Sequence, residues 1–289
     1  MNRLTVFQVS DTHLSQTHAY FQDNWDAFIE CVDQEQPDFV FVTGDMCFNG
    51  PVNSADLAYA RQQMDRLSVP WRAIPGNHDI GDVPPDVRLN HPISKPRRIA
   101  YREHFGAEYW VEDLAEWRFI GLNAQLMGSS LPDEPEQMRM LEASLASAGN
   151  RNLALLIHKP LFNKTPEESE TSLATVFPEP RRALLSLCEK YGVKLIASGH
   201  RHGYRATRHA GLRLVWAPAT AFVDSRNPKD APRTVRRAGY VRYRFEGAKF
   251  TCELVEPPRF VSHDMRNWMS SMGSTTKLPA RALASSHNL

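Results

Sequence analysis

The chain carries almost no net charge. Its 289 residues include 34 lysines and arginines against 33 aspartates and glutamates, a formal charge of +1. Proteins built to grip a nucleic-acid polymer show a marked basic excess, so no such partner is expected. Paired cysteines are missing too. Cys31, Cys47, Cys188 and Cys252 are scattered with no C-x-x-C spacing, and they read as buried, reduced thiols. No apolar run is long enough to span a bilayer. The opening Met1-Asn2-Arg3-Leu4-Thr5-Val6 runs straight into a strand pattern, with no apolar core of a signal peptide. The expectation is a cytoplasmic protein without a membrane partner. No internal repeat is visible.

What is present is ordinary in amount and informative in order. Hydrophobic content of 42% and charged content of 23% suit a globular protein of one large α/β domain or two small ones. Residues 4–9, 39–43 and 71–74 read as buried strands, with helical patterns at 24–34 and 55–67 between them. That rhythm implies parallel strands joined by helical crossovers, in a sheet covered on both faces. Residues 80–117 read as a long irregular loop, marked by Pro84, Pro85, Pro92 and Pro96. Strands follow at 118–123, 153–157 and 194–198, helices at 136–148 and 181–191, and a further loop at 165–180. Residues 212–217, 239–245 and 250–255 read as antiparallel strands, the last two meeting at Glu246-Gly247-Ala248.

Five short clusters fall where strands should end. They are Asp11-Thr12-His13, Gly44-Asp45, Gly76-Asn77-His78-Asp79, His158 and Gly199-His200-Arg201-His202. Each has a bland reading when taken alone. Asp-x-His can be a capping residue beside a surface histidine, Gly-Asp a common turn, and His158 a satisfied core histidine. In Gly76-Asn77-His78-Asp79 the glycine permits a tight turn before three polar side chains. Ligands gather beyond the carboxyl ends of parallel strands, so the spacing puts Asp11, Asp45 and Asn77, each following one of the first three strands, on one rim. The donors are oxygen and nitrogen with no thiolate, and there are too many for a single four-coordinate ion.

On these motifs the sequence resembles the calcineurin-like metallophosphoesterases, whose pattern is D-x-H, G-D, G-N-H-[DE], H and G-H-x-H. The match runs from Asp11 to His202 and is most similar to the cyclic-nucleotide and glycerophosphodiester phosphodiesterase branch. The resemblance implies a four-layer α/β/β/α sandwich, two mixed β-sheets packed face to face with helices outside. It implies two divalent metal ions, with Mn, Fe, Co and Zn all acceptable to the donor set. Asp11, His13 and His202 would hold the first, Asn77, His158 and His200 the second, and Asp45 would bridge them. His78 would face the phosphate as charge stabiliser or acid, which makes it a catalytic residue together with Asp45. Asp79 would orient a histidine or a loop amide behind the ligands. The reaction implied is hydrolysis of a small phosphodiester by in-line attack of a metal hydroxide. A phosphomonoesterase or nucleotide pyrophosphatase would use the same metal site. A non-catalytic scaffold of this fold usually loses the phosphate-facing histidine or several ligands, whereas this chain has them all.

Residues 1–261 are expected to form the catalytic domain. The tail at 262–289, with Trp268, Met269 and Met272, is expected to act as a cap over the metal rim or as a contact in a homo-oligomer. Phe48 stands three residues after Asp45, where the related purple acid phosphatases have a tyrosine, so a tyrosinate-bound ferric ion is not expected. Lys159, following His158, could supply an extra cation near the phosphate; a solvated side chain is the simpler reading. Arg201, Arg205, Arg208 and Arg213, and Lys95, Arg97, Arg98 and Arg102, could hold a second phosphate; a solvated surface is the simpler reading for most of them. The run Arg233, Arg236 and Arg237 has the same two readings. His18 and His91 are the remaining candidates for a substrate pocket.

Overall fold

The computed structural model describes residues 3–83, 91–225 and 233–267. One sheet has the strand order β12-β11-β1-β2-β3. Its members are β1 (Arg3–Val9), β2 (Phe39–Thr43), β3 (Trp71–Ile74), β11 (Tyr240–Glu246) and β12 (Lys249–Val255). The strands β1, β2 and β3 run parallel, while β11 is antiparallel to both β1 and β12. The second sheet has the order β4-β5-β6-β7-β9-β8. It comprises β4 (Trp110–Leu114), β5 (Trp117–Leu122), β6 (Asn152–Ile157), β7 (Leu195–Ser198), β8 (Arg205–His209) and β9 (Leu212–Trp216). Here β5, β6, β7 and β9 are parallel, and the edge strands β4 and β8 are antiparallel.

The continuous apolar strands have a simple cause. Successive side chains point to opposite faces, and each face here meets a different core. In β2, Phe39 and Phe41 enter the core between the sheets, whereas Val40 and Val42 pack under the outer helices. In β6, Ala154 and Leu156 face inward while Leu153, Leu155 and Ile157 face outward. Phe41 of one sheet meets Phe119 of the other at 4.9 Å between ring centroids. Helices α1 (Gln22–Glu35), α2 (Ser54–Met64) and α4 (Lys95–Phe105) cover the first sheet through Trp25, Phe28, Leu57, Met64 and Tyr101. Helices α5 (Asp133–Ala146) and α6 (Pro178–Tyr191) cover the second through Leu141, Leu145, Leu184 and Cys188. The result is the expected four-layer sandwich. No helix among the described residues is long and apolar enough to cross a membrane.

Two expectations are corrected. Residues 80–117 are not one loop, since they contain α4 and β4. Pro96 sits in the first turn of α4, where a missing N–H costs nothing, so this proline begins a helix instead of breaking one. Residues 212–216 form β9, which belongs to the second sheet beside β7; only β11 and β12 make the expected hairpin. The edge strand β8 was unforeseen because Arg205-Ala206-Thr207-Arg208-His209 lacks an apolar alternation. Trp268, Met269 and Met272 lie outside the described residues. Just before them, β13 (His263–Asp264) pairs in parallel with β10 (Phe222–Val223).

Arg98, expected to be solvated, is buried in this framework. Its guanidinium meets Glu108 at 2.8 Å and Asp133 at 2.7 Å, and Glu108 also accepts from Asn123 Nδ2 at 2.7 Å. Removing one member of a buried pair leaves an uncompensated charge, which costs roughly 3–5 kcal/mol. Arg98→Ala is therefore expected to lower the unfolding free energy, read from urea denaturation, by an amount of that order. Arg102, which reaches the same Glu108 from a 40%-exposed position, should tolerate alanine with little change. Equal effects at the two sites would contradict this assignment.

Candidate metal centre

The carboxyl ends of β1, β2, β3, β6 and β7 open onto one rim. The loops after them bring together Asp11, His13, Asp45, Asn77, His78, Asp79, His158, His200 and His202. Asp11, His13, Asp45, His158 and Asp79 are buried, with His202 at the buried edge and His200 half-buried. The backbone pays for this convergence. Asp11, His13, Asp45, His200 and His202 have φ of 54°, 43°, 52°, 66° and 48°, five of the ten non-glycine residues with positive φ among the described residues. Left-handed backbone at non-glycine residues is strained, and half of that strain sits at this rim.

Asp11, His13, Asp45 and His202 form one group whose ligand atoms lie within 4.8 Å of one another. Asp45, His158 and His200 form a second, so Asp45 belongs to both. The amide oxygen of Asn77 joins the second group, 3.3 Å from His158 Nε2. Hydrogen bonds fix several ring orientations. A carbonyl can only accept, so His158 Nδ1 donates to Thr43 O (2.7 Å), His200 Nε2 to Leu173 O (3.0 Å) and His202 Nδ1 to Phe222 O (3.0 Å). The opposite nitrogens then face inward. His158 Nε2 and His200 Nδ1 are 3.2 Å apart, and His202 Nε2 is 3.3 Å from Asp11 Oδ1 and 3.4 Å from His13 Nε2. Asp11 Oδ1 is buried with no hydrogen-bond donor. Acceptors converging in this way without donors require a cation. Oxygen and imidazole donors with two carboxylates fit divalent ions of the Mn, Fe, Co and Zn type.

The titration behaviour agrees. Burial, followed by the neighbouring rings of His78 for His13 and of His158 for His200, holds both imidazoles well below their ordinary value. They are neutral, which is the form that binds metal. Burial opposes ionisation of Asp45, but His158 and His78 outweigh it and keep the carboxyl well below the usual range. Burial would also depress His158, yet Asp45 and Asp11 carry it up to about 9. The two carboxylates thus make the site one that draws positive charge.

His78 belongs to neither group. Its backbone N–H donates to Asp45 Oδ1 (2.7 Å), and its Nδ1 donates to Phe48 O (2.7 Å). The ring lies edge-on to His13, 4.6 Å between centroids. Asp79 accepts from the N–H groups of Gly76 (2.8 Å) and Cys47 (3.0 Å), tying together the loops that carry Asn77 and Asp45. Burial and the Asp45 charge raise it to about 6. Gly76 is required by close approach: a Cβ there would lie 2.1 Å from Asp45 Oδ1 and 2.4 Å from Asp45 N. Relief would need backbone movement, at about 1–3 kcal/mol. Gly76→Ala should therefore fold with reduced stability and bind less metal, measured by thermal unfolding and elemental analysis. Normal metal content would show that the loop can yield.

Lys159 is not solvated. It is buried and paired with Asp82, whose backbone N–H donates to His91 O at 2.9 Å. The amide of Gln125, oriented to satisfy both neighbours, donates to Asp82 (2.9 Å) and accepts from Asn77 N (3.3 Å). Sequence reading missed these groups behind Asn77. The apolar Pro160-Leu161-Phe162 following Lys159 was the available sign of burial. His18 stacks on Phe48, with centroids 4.9 Å apart, on the flank that carries His78. Of the arginines read as solvated, Arg205 stacks over Trp216 and Arg236 bonds the backbone of Asp224.

Residues 4–204 match the calcineurin-like phosphoesterase family. A probable cyclic nucleotide phosphodiesterase of Xenorhabdus bovienii is 25% identical over 234 residues, 76% of this chain and 87% of that protein. The glycerophosphodiester phosphodiesterase GpdQ of Enterobacter lignolyticus is 28% identical over 234 residues, 75% and 77% of the two chains. Among solved structures, the purple acid phosphatase PPD1 of yellow lupin shares the fold. It has a TM-score of 0.65 at 19% identity, covering 98% of this chain and 57% of that one. The matched span contains the whole rim from Asp11 to His202, and the chain belongs to the calcineurin-like phosphoesterase family.

Proposed function

We propose that this phosphoesterase is a phosphodiesterase with a dinuclear metal site, acting on a small diester. The observation that carries the reading is Asp45, common to two groups of converging acceptors. Asp11, His13, Asp45 and His202 would hold one divalent ion, and Asp45, Asn77, His158 and His200 the other. When bound, such a pair supplies Lewis-acid activation of a water and of the phosphoryl oxygens. The chain's own residues do the rest. Thr43, Leu173 and Phe222 carbonyls hold three ligand rings in one tautomer. Asp79 fixes the amides of Gly76 and Cys47, and so the spacing of Asn77 from Asp45. Because Nδ1 of His78 is held by Phe48 O, its Nε2 is the nitrogen that takes up a proton and offers it to the phosphate or the leaving oxygen.

Three relatives carry phosphodiesterase names at 25–28% identity, against 22–24% for four named serine/threonine-protein phosphatase, which favours diesters over monoesters. The second substituent of a diester needs protein outside the metals. His18 on Phe48 supplies one border, and the segment from Ser262 onward, beginning with His263 beside Phe21 (5.8 Å between centroids), is proposed as another. The test is a turnover screen of metal-reconstituted protein on bis(p-nitrophenyl) phosphate, p-nitrophenyl phosphate, cyclic nucleotides and glycerophosphodiesters. Diesters should be preferred, and removal of residues 262–289 should lower diester turnover more than monoester turnover. Faster hydrolysis of monoesters would replace the diesterase reading by a phosphatase.

A further inference from the structure

A second charged feature lies at the other end of the sheets. A groove there is lined by Lys194, Arg208, Arg213, Arg244 and Lys249 with one carboxylate, Glu246. Five cations thus face one acid in a chain whose totals are 34 and 33. Glu246 is already engaged by Arg3 at 2.9 Å, and Arg244 by Glu253 at 2.7 Å. Lys194 donates to the neutral Asn152 at 2.6 Å, and Arg213 reaches only the sulfur of Cys252, at 3.7 Å. Among the described residues, Arg208, Arg213 and Lys249 have no carboxylate within ion-pairing distance.

The arrangement is costly. Arg208 and Arg213 stand directly opposite each other across β8 and β9. Like charges in that position destabilise a sheet. An anion between them would reverse the sign of that interaction. Among the described residues nothing roofs the groove at its turns, which carry Gly211 and Ala248; a Cβ at Gly211 would meet no described atom within 4 Å. The site is separate from the metal rim. Lys194 immediately precedes β7 and His200 follows it, six residues on, or about 20 Å at strand rise.

We infer that this groove binds a multiply charged phosphate anion. Arginine presents paired N–H donors that match two phosphate oxygens, and lysine adds a point charge. The cations come from two separate hairpins and from Lys194, a spread that suits several linked phosphates better than one. A free oligophosphate and a polyphosphorylated lipid headgroup share this chemistry. The inference does not depend on what the metal rim catalyses.

The test uses metal-loaded protein and inorganic tripolyphosphate in titration calorimetry. In parallel, inhibition of bis(p-nitrophenyl) phosphate turnover by the same anion reports binding at the rim. In the double variant Arg208→Ser, Lys249→Ser, both positions are exposed, so the fold and the turnover should persist. Affinity outside the rim should fall at least tenfold, while inhibition at the rim stays as in the wild type. Wild-type binding by the double variant would overturn the inference, and so would a poly-glutamate peptide that matches tripolyphosphate in affinity. Sedimentation with phosphatidylcholine vesicles, with and without phosphatidylinositol bisphosphate, separates the sources. Capture only by the bisphosphate vesicles assigns the headgroup, and no capture assigns the free anion.

Discussion

Asp45→Asn should lose at least about three orders of magnitude in diester turnover, and retain less metal than the wild type. The substitution keeps the shape of the side chain and its acceptance of the His78 N–H, so the fold should survive. What disappears is one negative charge at the point common to both acceptor groups. Metal-held electrostatics of this kind contributes several kcal/mol to the transition state, and each 1.4 kcal/mol is roughly tenfold in rate. Elemental analysis and steady-state kinetics on the same preparation read both effects. Full activity with two ions bound would remove Asp45 from the position proposed for it.

His78→Ala should separate the two effects. The His78 side chain supplies no atom to either acceptor group, and the backbone N–H bond to Asp45 survives in alanine, so metal content should be unchanged. Turnover should fall roughly 10²–10⁴-fold, as for a positioned acid or charge stabiliser. The loss should lie in kcat, because an interaction made only in the transition state leaves substrate affinity alone. Metal lost together with activity would place the ring among the ligands.

The rim was legible in the sequence for a physical reason. Parallel strands must be crossed by helices, their carboxyl ends must lie together, and Asp11, Asp45, Asn77, His158 and His200 each follow such an end. The strand β2 was read to the residue because both of its faces are buried, which leaves an unbroken apolar run closed by Gly44, whereas β3, with Arg72 exposed, was read from its short apolar pattern closed by Pro75-Gly76. Legibility ended where meaning depended on a distant partner. Lys159 is defined by Asp82, and Arg98 by Glu108 and Asp133. A local window sees only a cation and calls it surface. The same limit hid β8, an edge strand whose pairing with β9 comes from tertiary position and not from apolar periodicity. The basic groove is the converse case. Arg208 and Arg213 were visible as part of a cluster, but their lack of acids among the described residues became apparent only once the hairpins β8–β9 and β11–β12 were seen side by side.

Anomalous diffraction from crystals of the manganese- or zinc-loaded protein addresses the central claim most directly. The dinuclear reading requires two peaks about 3.5–4 Å apart, one against Asp11, His13 and His202, the other against Asn77, His158 and His200, with Asp45 between them. A single peak at full occupancy, or two peaks that do not share Asp45, would contradict it.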